Sequence, residues 1–246
     1  MHPPIRQMSG GVKALKLNLS FGLFLGLLGI AVVNSSPSNL LAFAQPDQYK
    51  GRTIAPVMSA AGADWLTREE REEKEQPEKI LDALNIGRGM VVADVGAGVG
   101  YFSLRIARRV ESTGRVLAVD VQSEMLELLR KNKEREGLDN VELLLGTTSD
   151  PKLPNEAVDL ALLVDVYHEF QYPEEMIAGI RHSLKPDGRM VLIEYRGEDP
   201  DVPIKPEHKM TVEQVRGEIE PLGFRLKQTL EFLPWQHIFV FEKQKN

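Results

Sequence analysis

The chain has 246 residues, 42% of them hydrophobic, and a formal net charge of −6. That length and apolar content support one sizeable core rather than two generous domains. With no cysteine in the chain, disulfides, thiolate nucleophiles and cysteine-held metals are excluded.

The first 44 residues read as an address. Arg6, Lys13 and Lys16 precede an apolar run at 17–33, a polar stretch at 34–39 and Ala42-Phe43-Ala44. A basic start, a short apolar core and an Ala-x-Ala site describe a signal peptide. The run of 17 residues is also at the short edge of what spans a bilayer. An uncleaved anchor is therefore one alternative, and a buried helix another. The basic start favours a cytoplasmic N-terminus. The expected location is exported (periplasmic or extracellular) or membrane-anchored, with membrane association through residues 17–33. Without the three basic residues of this leader, 27 basic residues face 36 acidic ones, a net charge of −9. Such a body matches nucleic acid poorly. Arg108-Arg109 and Arg130-Lys131 read as solvated helix ends.

Residues 45–78 are expected to be an arm and a charged helix, followed by the main domain at 79–246. Pro46, Gly51, Pro56 and Gly62 mark the arm as extended. Asp64 or Thr67 is placed to cap the charged helix, with Thr67 and Glu70 as a capping box. That helix reads as a solvated face or as a lid. Pro77 opens the next helix, striped by Ile80, Leu81 and Leu84. Then strands at 91–95, 116–120, 141–145, 158–164 and 189–195 alternate with helices at 101–110, 123–136, 173–184 and 210–222. Gly137 stops the second of these helices and Thr211 caps the last. Two final strands, 224–231 and 236–242, close the chain. Such alternation predicts an α/β fold, a parallel sheet covered on both faces.

The first strand runs into Asp94-Val95-Gly96-Ala97-Gly98-Val99-Gly100, and the second ends at Asp120. Glycines let the backbone approach a ligand, and an acid at the second strand end can accept from ribose hydroxyls. The spacing is Gly-x-Gly-x-Gly, not the Gly-x-Gly-x-x-Gly of dinucleotide enzymes. Asp94 would repel a pyrophosphate but suits a cation, such as the sulfonium and amino groups of S-adenosylmethionine.

On these motifs, with segments 162–170 and 184–189, residues 79–246 resemble the class I S-adenosylmethionine-dependent methyltransferases. The likeness is to their small-molecule branch, which includes the ubiquinone/menaquinone C-methyltransferases. The resemblance implies a Rossmann-like, seven-stranded, mostly parallel sheet with an antiparallel last strand and helices on both faces. It implies S-adenosyl-L-methionine as cofactor and a small-molecule acceptor. Gly96, Gly98 and Gly100 would then lie against the methionine part and Asp94 at its amino group. Asp120 would take the ribose, with Val121 and Gln122 beside the adenine. Thr147 stands where such enzymes carry an acid at the adenine; its hydroxyl could substitute, or Asp150 could fold back.

Asp165 ends the fourth strand and is expected to face the cleft. Tyr167 and His168 follow as candidate catalytic residues lining the acceptor pocket, with His168 as a possible general base. Glu194, Tyr195 and Arg196 could form the far wall. His208 is a candidate contact, and His237 reads as a packed core residue. No histidine pair has metal spacing with a carboxylate partner, so no metal is expected. Two other readings stay open. One is a binding protein for S-adenosylmethionine or S-adenosylhomocysteine without turnover; the other is a nicotinamide-dependent oxidoreductase.

Overall fold

A computed structural model describes residues 47–244. The expected leader and the membrane association through 17–33 lie outside the described residues. Among those described, no helix is long and apolar enough to cross a membrane.

The chain starts with a hairpin, β1 (Gln48–Tyr49) and β2 (Arg52–Thr53). A 3-10 turn (Ala60–Thr67) leads to α1 (Glu70–Glu75) and α2 (Pro77–Ala83). The alternating body follows with β3 (Val91–Val95), α3 (Tyr101–Val110), β4 (Arg115–Asp120), α4 (Ser123–Glu136) and β5 (Val141–Leu145). It continues through β6 (Val158–Val164), α5 (Pro173–Ser183), β7 (Leu184–Arg196), β8 (Lys209–Met210) and α6 (Val212–Ile219). Strands β9 (Phe224–Leu230) and β10 (Gln236–Lys243) complete it.

The strand order is β5-β4-β3-β6-β7-β10-β9, with β8 added beside β7. The ladders from β5 through β7 are parallel, whereas β10 is antiparallel to both β7 and β9. The last strand is thus inserted between its neighbours in reversed direction. Side chains alternate along each strand, so each face acquires its own core. Val92, Val116, Leu160 and Val191 pack with α2, α3 and α4. Ala93, Leu117, Ala161 and Leu192 pack with α5 and α6. The chain steps outward from β3 to β5 and returns on the other side of β3 as β6. This reversal opens a crevice at the carboxyl ends of the central strands.

Three local expectations are corrected. Thr67 caps no helix, because the 3-10 turn continues through it and its hydroxyl donates to the Asp64 carbonyl at 3.3 Å. Asp64 lies within that turn, whose cap is Ser59, and α1 has no side-chain cap. The last helix starts at Val212, since Met210 pairs with Arg196 in β8; Thr211 still caps it, in a full capping box with Gln214. The strand expected at 189–195 starts earlier, at Leu184, with an irregular register where it begins: Val158 pairs with Leu184 and Leu160 with Arg189.

A buried ion pair fastens the hairpin to the domain. Arg52 Nε and Nη2 each donate to Glu218 at 3.1 Å, and Tyr167 Oη donates to the same carboxylate at 2.9 Å. Arg52→Ala strands that buried carboxylate and should destabilise the protein by about 3–5 kcal/mol. Urea denaturation measures this, and the double variant Arg52→Met/Glu218→Leu should recover most of the loss.

Candidate functional site

The loop after β3 is folded onto the end of β4. Gly96 and Ala97 both donate their amides to the Val119 carbonyl, at 2.8 and 2.9 Å. Gly98 donates to Asp120 Oδ2 at 2.9 Å, and Gln122 to Oδ1 at 2.9 Å. Gly96 and Gly98 both have positive φ. A Cβ on Gly96 would collide with the Val166 side chain, and one on Gly98 would lie 2.8 Å from Leu66 Cδ1. The loop is therefore closed to any larger residue. Asp94 accepts from the Ser103 hydroxyl at 2.5 Å.

A cleft of about 920 Å³ lies over this edge. Its floor includes Gly96, Gly98, Asp120, Val121, Val164 and Asp165. Its other wall comes from the N-terminal arm, with Val57, Met58, Trp65, Leu66 and Arg71. Beyond it are Glu169, Phe170 and Met176. A side cavity of about 330 Å³ shares Gly96 and Gly98 and is lined by Asp94. Gln122 Nε2 donates to the Met58 carbonyl at 2.9 Å, tying arm to floor.

Several candidates lie elsewhere. Gly100 borders neither cavity and faces Leu129 instead. The Thr147 hydroxyl accepts from the Ser149 and Asp150 amides, so it closes a turn, and Thr148 lines the cleft. Tyr167 is fully buried, its hydroxyl on Glu218. His168 is buried too, with Nδ1 2.5 Å from Glu194 and Nε2 3.1 Å from His208 Nδ1. Neither Tyr167 nor His168 lines the cleft, because the 3-10 turn over 167–169 carries Glu169 there. Glu194 and Tyr195 likewise anchor the interior; the Tyr195 hydroxyl donates to Glu75 at 3.1 Å. His237 is packed, between Glu231 and Glu198. The arm's Val57, Met58, Trp65 and Leu66 were missed, since no periodicity in the sequence directs them to a distant strand end, whereas Arg71 comes from the charged helix read as a solvated face or a lid.

The electrostatics of this corner are lopsided. Burial pushes Asp94 up to about 6, although Ser103 and Arg71 oppose it. Burial takes Glu169 up to about 7 against the pull of His168. Asp165 is held well above the carboxylate range by burial and then by Glu75 and Glu194, while Gln236 Nε2 donates to both its oxygens. Asp120 is raised by burial, partly offset by the Gln122, Gly98 and Val121 amides. Burial resists charge on His168, but Glu194 outweighs it and keeps the imidazole above its ordinary range. Arg71 is the one basic side chain among the lining residues.

A family profile described as a methyltransferase domain matches residues 86–237. An uncharacterized methyltransferase-like protein of Schizosaccharomyces pombe is 34% identical over 66% of this chain and 56% of its own length. The ubiquinone/menaquinone biosynthesis C-methyltransferase UbiE of an Enterobacter species is 26% identical over 47% of this chain and 46% of its own. The chain spans about half the length of the curated relatives it matches. A crystal structure of a SAM-dependent methyltransferase from Aquifex aeolicus superposes with a TM-score of 0.71 at 26% identity, covering 75% of this chain and 98% of that one.

The raised carboxyls have a measurable sign. A buried acid that keeps its proton where the unfolded chain has lost it makes the folded state bind more protons, so stability falls as pH rises through that window. For Asp94 the window runs from its ordinary 3.8 to about 6. Asp94→Asn should therefore gain on the native protein between those values, by up to about 3 kcal/mol, and the gain should level off above them. Denaturant titrations of both proteins across pH 4–7.5, with no ligand added, test this.

Proposed function

We propose that this chain, which belongs to the S-adenosylmethionine-dependent methyltransferases, methylates a small, largely apolar acceptor. The observation that carries the reading is the cleft itself: buried acids at the strand ends, one lining cation, and an apolar opposite wall. An acid-rich, cation-poor site suits a positively charged ligand and disfavours a pyrophosphate. Gly96 and Gly98 present backbone rather than side chain to the cleft, which suits a ligand lying close against it.

In this reading Asp120 accepts from the ribose hydroxyls, and the backbone at Gly96 and Gly98 lies along the methionine part. Val121, with Met125 and Thr148, borders the adenine. Asp94 and Asp165 supply negative potential for the cationic end. S-adenosyl-L-methionine supplies, when bound, a methyl group already activated on a sulfonium. The protein's task is then chiefly to hold the acceptor atom in line and exclude water. Val57, Met58, Leu66, Phe170 and Met176 provide the apolar surface for that. Tyr167 and His168 act from behind the wall, as positioning residues. The basic, apolar and Ala-x-Ala pattern of residues 1–44 supports an exported or membrane-anchored location as part of the proposal.

Calorimetric titration of the full chain with S-adenosylmethionine and S-adenosylhomocysteine tests the first half. Micromolar binding is expected, weakened about 10- to 100-fold in Asp120→Ala by loss of charge-assisted hydrogen bonds. No binding to folded protein overturns the reading. Turnover is then followed as S-adenosylhomocysteine release over a panel of small apolar phenols, quinols and thiols. Binding without release across the panel would favour the non-catalytic alternative.

A further inference from the structure

His168, Glu169 and His208 converge beside the cleft. Their possible ligand atoms all lie within 4.8 Å of one another. His168 Nε2 and His208 Nδ1 are 3.1 Å apart. Two imidazole nitrogens on one divalent ion, each at about 2.0–2.1 Å, stand about 3 Å apart. The rings meet edge to face, at 80°, so the two nitrogens converge without the rings stacking. Glu169 brings a carboxylate from the cleft side.

The surroundings fix His168 before any ligand arrives. Glu194, fully buried, lies 2.5 Å from Nδ1. A carboxylate on the outer nitrogen selects the tautomer of the neutral ring: Nδ1–H donates to Glu194, and Nε2 is left to offer its lone pair to the shared corner. The His168 carbonyl accepts from the Ala55 amide at 3.1 Å and from Arg52 Nη1 at 2.9 Å. The Tyr167 amide donates to Glu194 Oε1 at 3.0 Å. His208 ends a 3-10 turn (Pro206–His208) that runs directly into β8, which is paired to β7 next to Glu194. Both imidazoles are thus delivered by elements locked to one strand.

We propose that His168, Glu169 and His208 bind a divalent transition-metal cation, with Glu194 as the outer carboxylate that orients His168. Two imidazoles and one carboxylate select zinc, cobalt, iron(II) or manganese over magnesium and calcium. Three protein ligands leave at least one coordination position for water or for an atom of a bound molecule. The site stands independently of the S-adenosylmethionine reading.

The test uses the full chain, stripped with a chelator and titrated with zinc by calorimetry and with cobalt(II) by visible absorption. S-adenosylhomocysteine is titrated into the same samples to report on the cofactor cleft. About one equivalent of metal should bind with micromolar affinity or better, and magnesium should not compete. His208→Ala and Glu169→Gln should each weaken binding about 100-fold or more, and Glu194→Gln about 10- to 100-fold. Circular dichroism checks that each variant is folded. No saturable metal binding to folded protein, or binding undiminished in His208→Ala, overturns the proposal and leaves a histidine–histidine hydrogen bond. Metal binding without S-adenosylhomocysteine binding would sink the cofactor reading and leave this one standing.

Discussion

The hydrogen bond from the Gly98 amide to Asp120, 2.9 Å long, sets where the rest of the cleft lies. It joins the loop after one strand to the acid ending the next, and both depend on the parallel register that puts Val95 opposite Val119. On the other side Val95 is level with Leu163, so Asp165 emerges at the same edge. Three acids from three strands are aligned by backbone pairing before any side chain chooses a rotamer. The loop's closing bonds to the Val119 carbonyl then aim α3 so that Ser103 meets Asp94. A slip in that register would separate all of these groups together.

Gathering acids at one edge is unfavourable for the protein alone. Each carboxyl loses water on folding, and the lining offers Arg71 as its single cation, itself engaged with Glu75 at 2.5 Å. Unfavourable burial of like-signed groups is common where a ligand of opposite charge completes the balance. Under the proposed function, cofactor affinity and intrinsic stability are opposed here: what disfavours the bare cleft favours a cationic ligand in it.

Much of this fold was legible in the sequence because its strands and helices have clear periods. Val91–Val95 and Tyr101–Val110 are read directly from an apolar run and a glycine stop. What escaped has no period. β8 is two residues long and exists through its pairing with Tyr195 and Arg196. The cleft wall from Val57 to Leu66 comes from an arm whose partners are far away in the chain. Around 165–170 the topology pointed to the right strand end but not to the right side chains. Tyr167, His168 and Glu169 are successive polar or aromatic residues, and only the tight turn decides that the first two go inward and the third faces the cleft. His168 and His208 are 40 residues apart, so no local spacing could disclose their meeting.

The wall over the cleft hangs from one carboxylate. Arg68 and Arg71 both bind Glu75, at 2.7 and 2.5 Å, and the Tyr195 hydroxyl joins them at 3.1 Å. All the wall residues from Val57 to Arg71 precede β3 in the chain, and none belongs to the strand ladder. The pocket is consequently divided in sequence as well as in space. A stretch of arm can be exchanged while the glycine loop and Asp120 keep their places, provided Glu75 keeps its two arginines. On the proposed function, the arm's share of the acceptor surface is thereby held apart in the chain from the strand ends at the cofactor, while Phe170 and Met176 stay with the core.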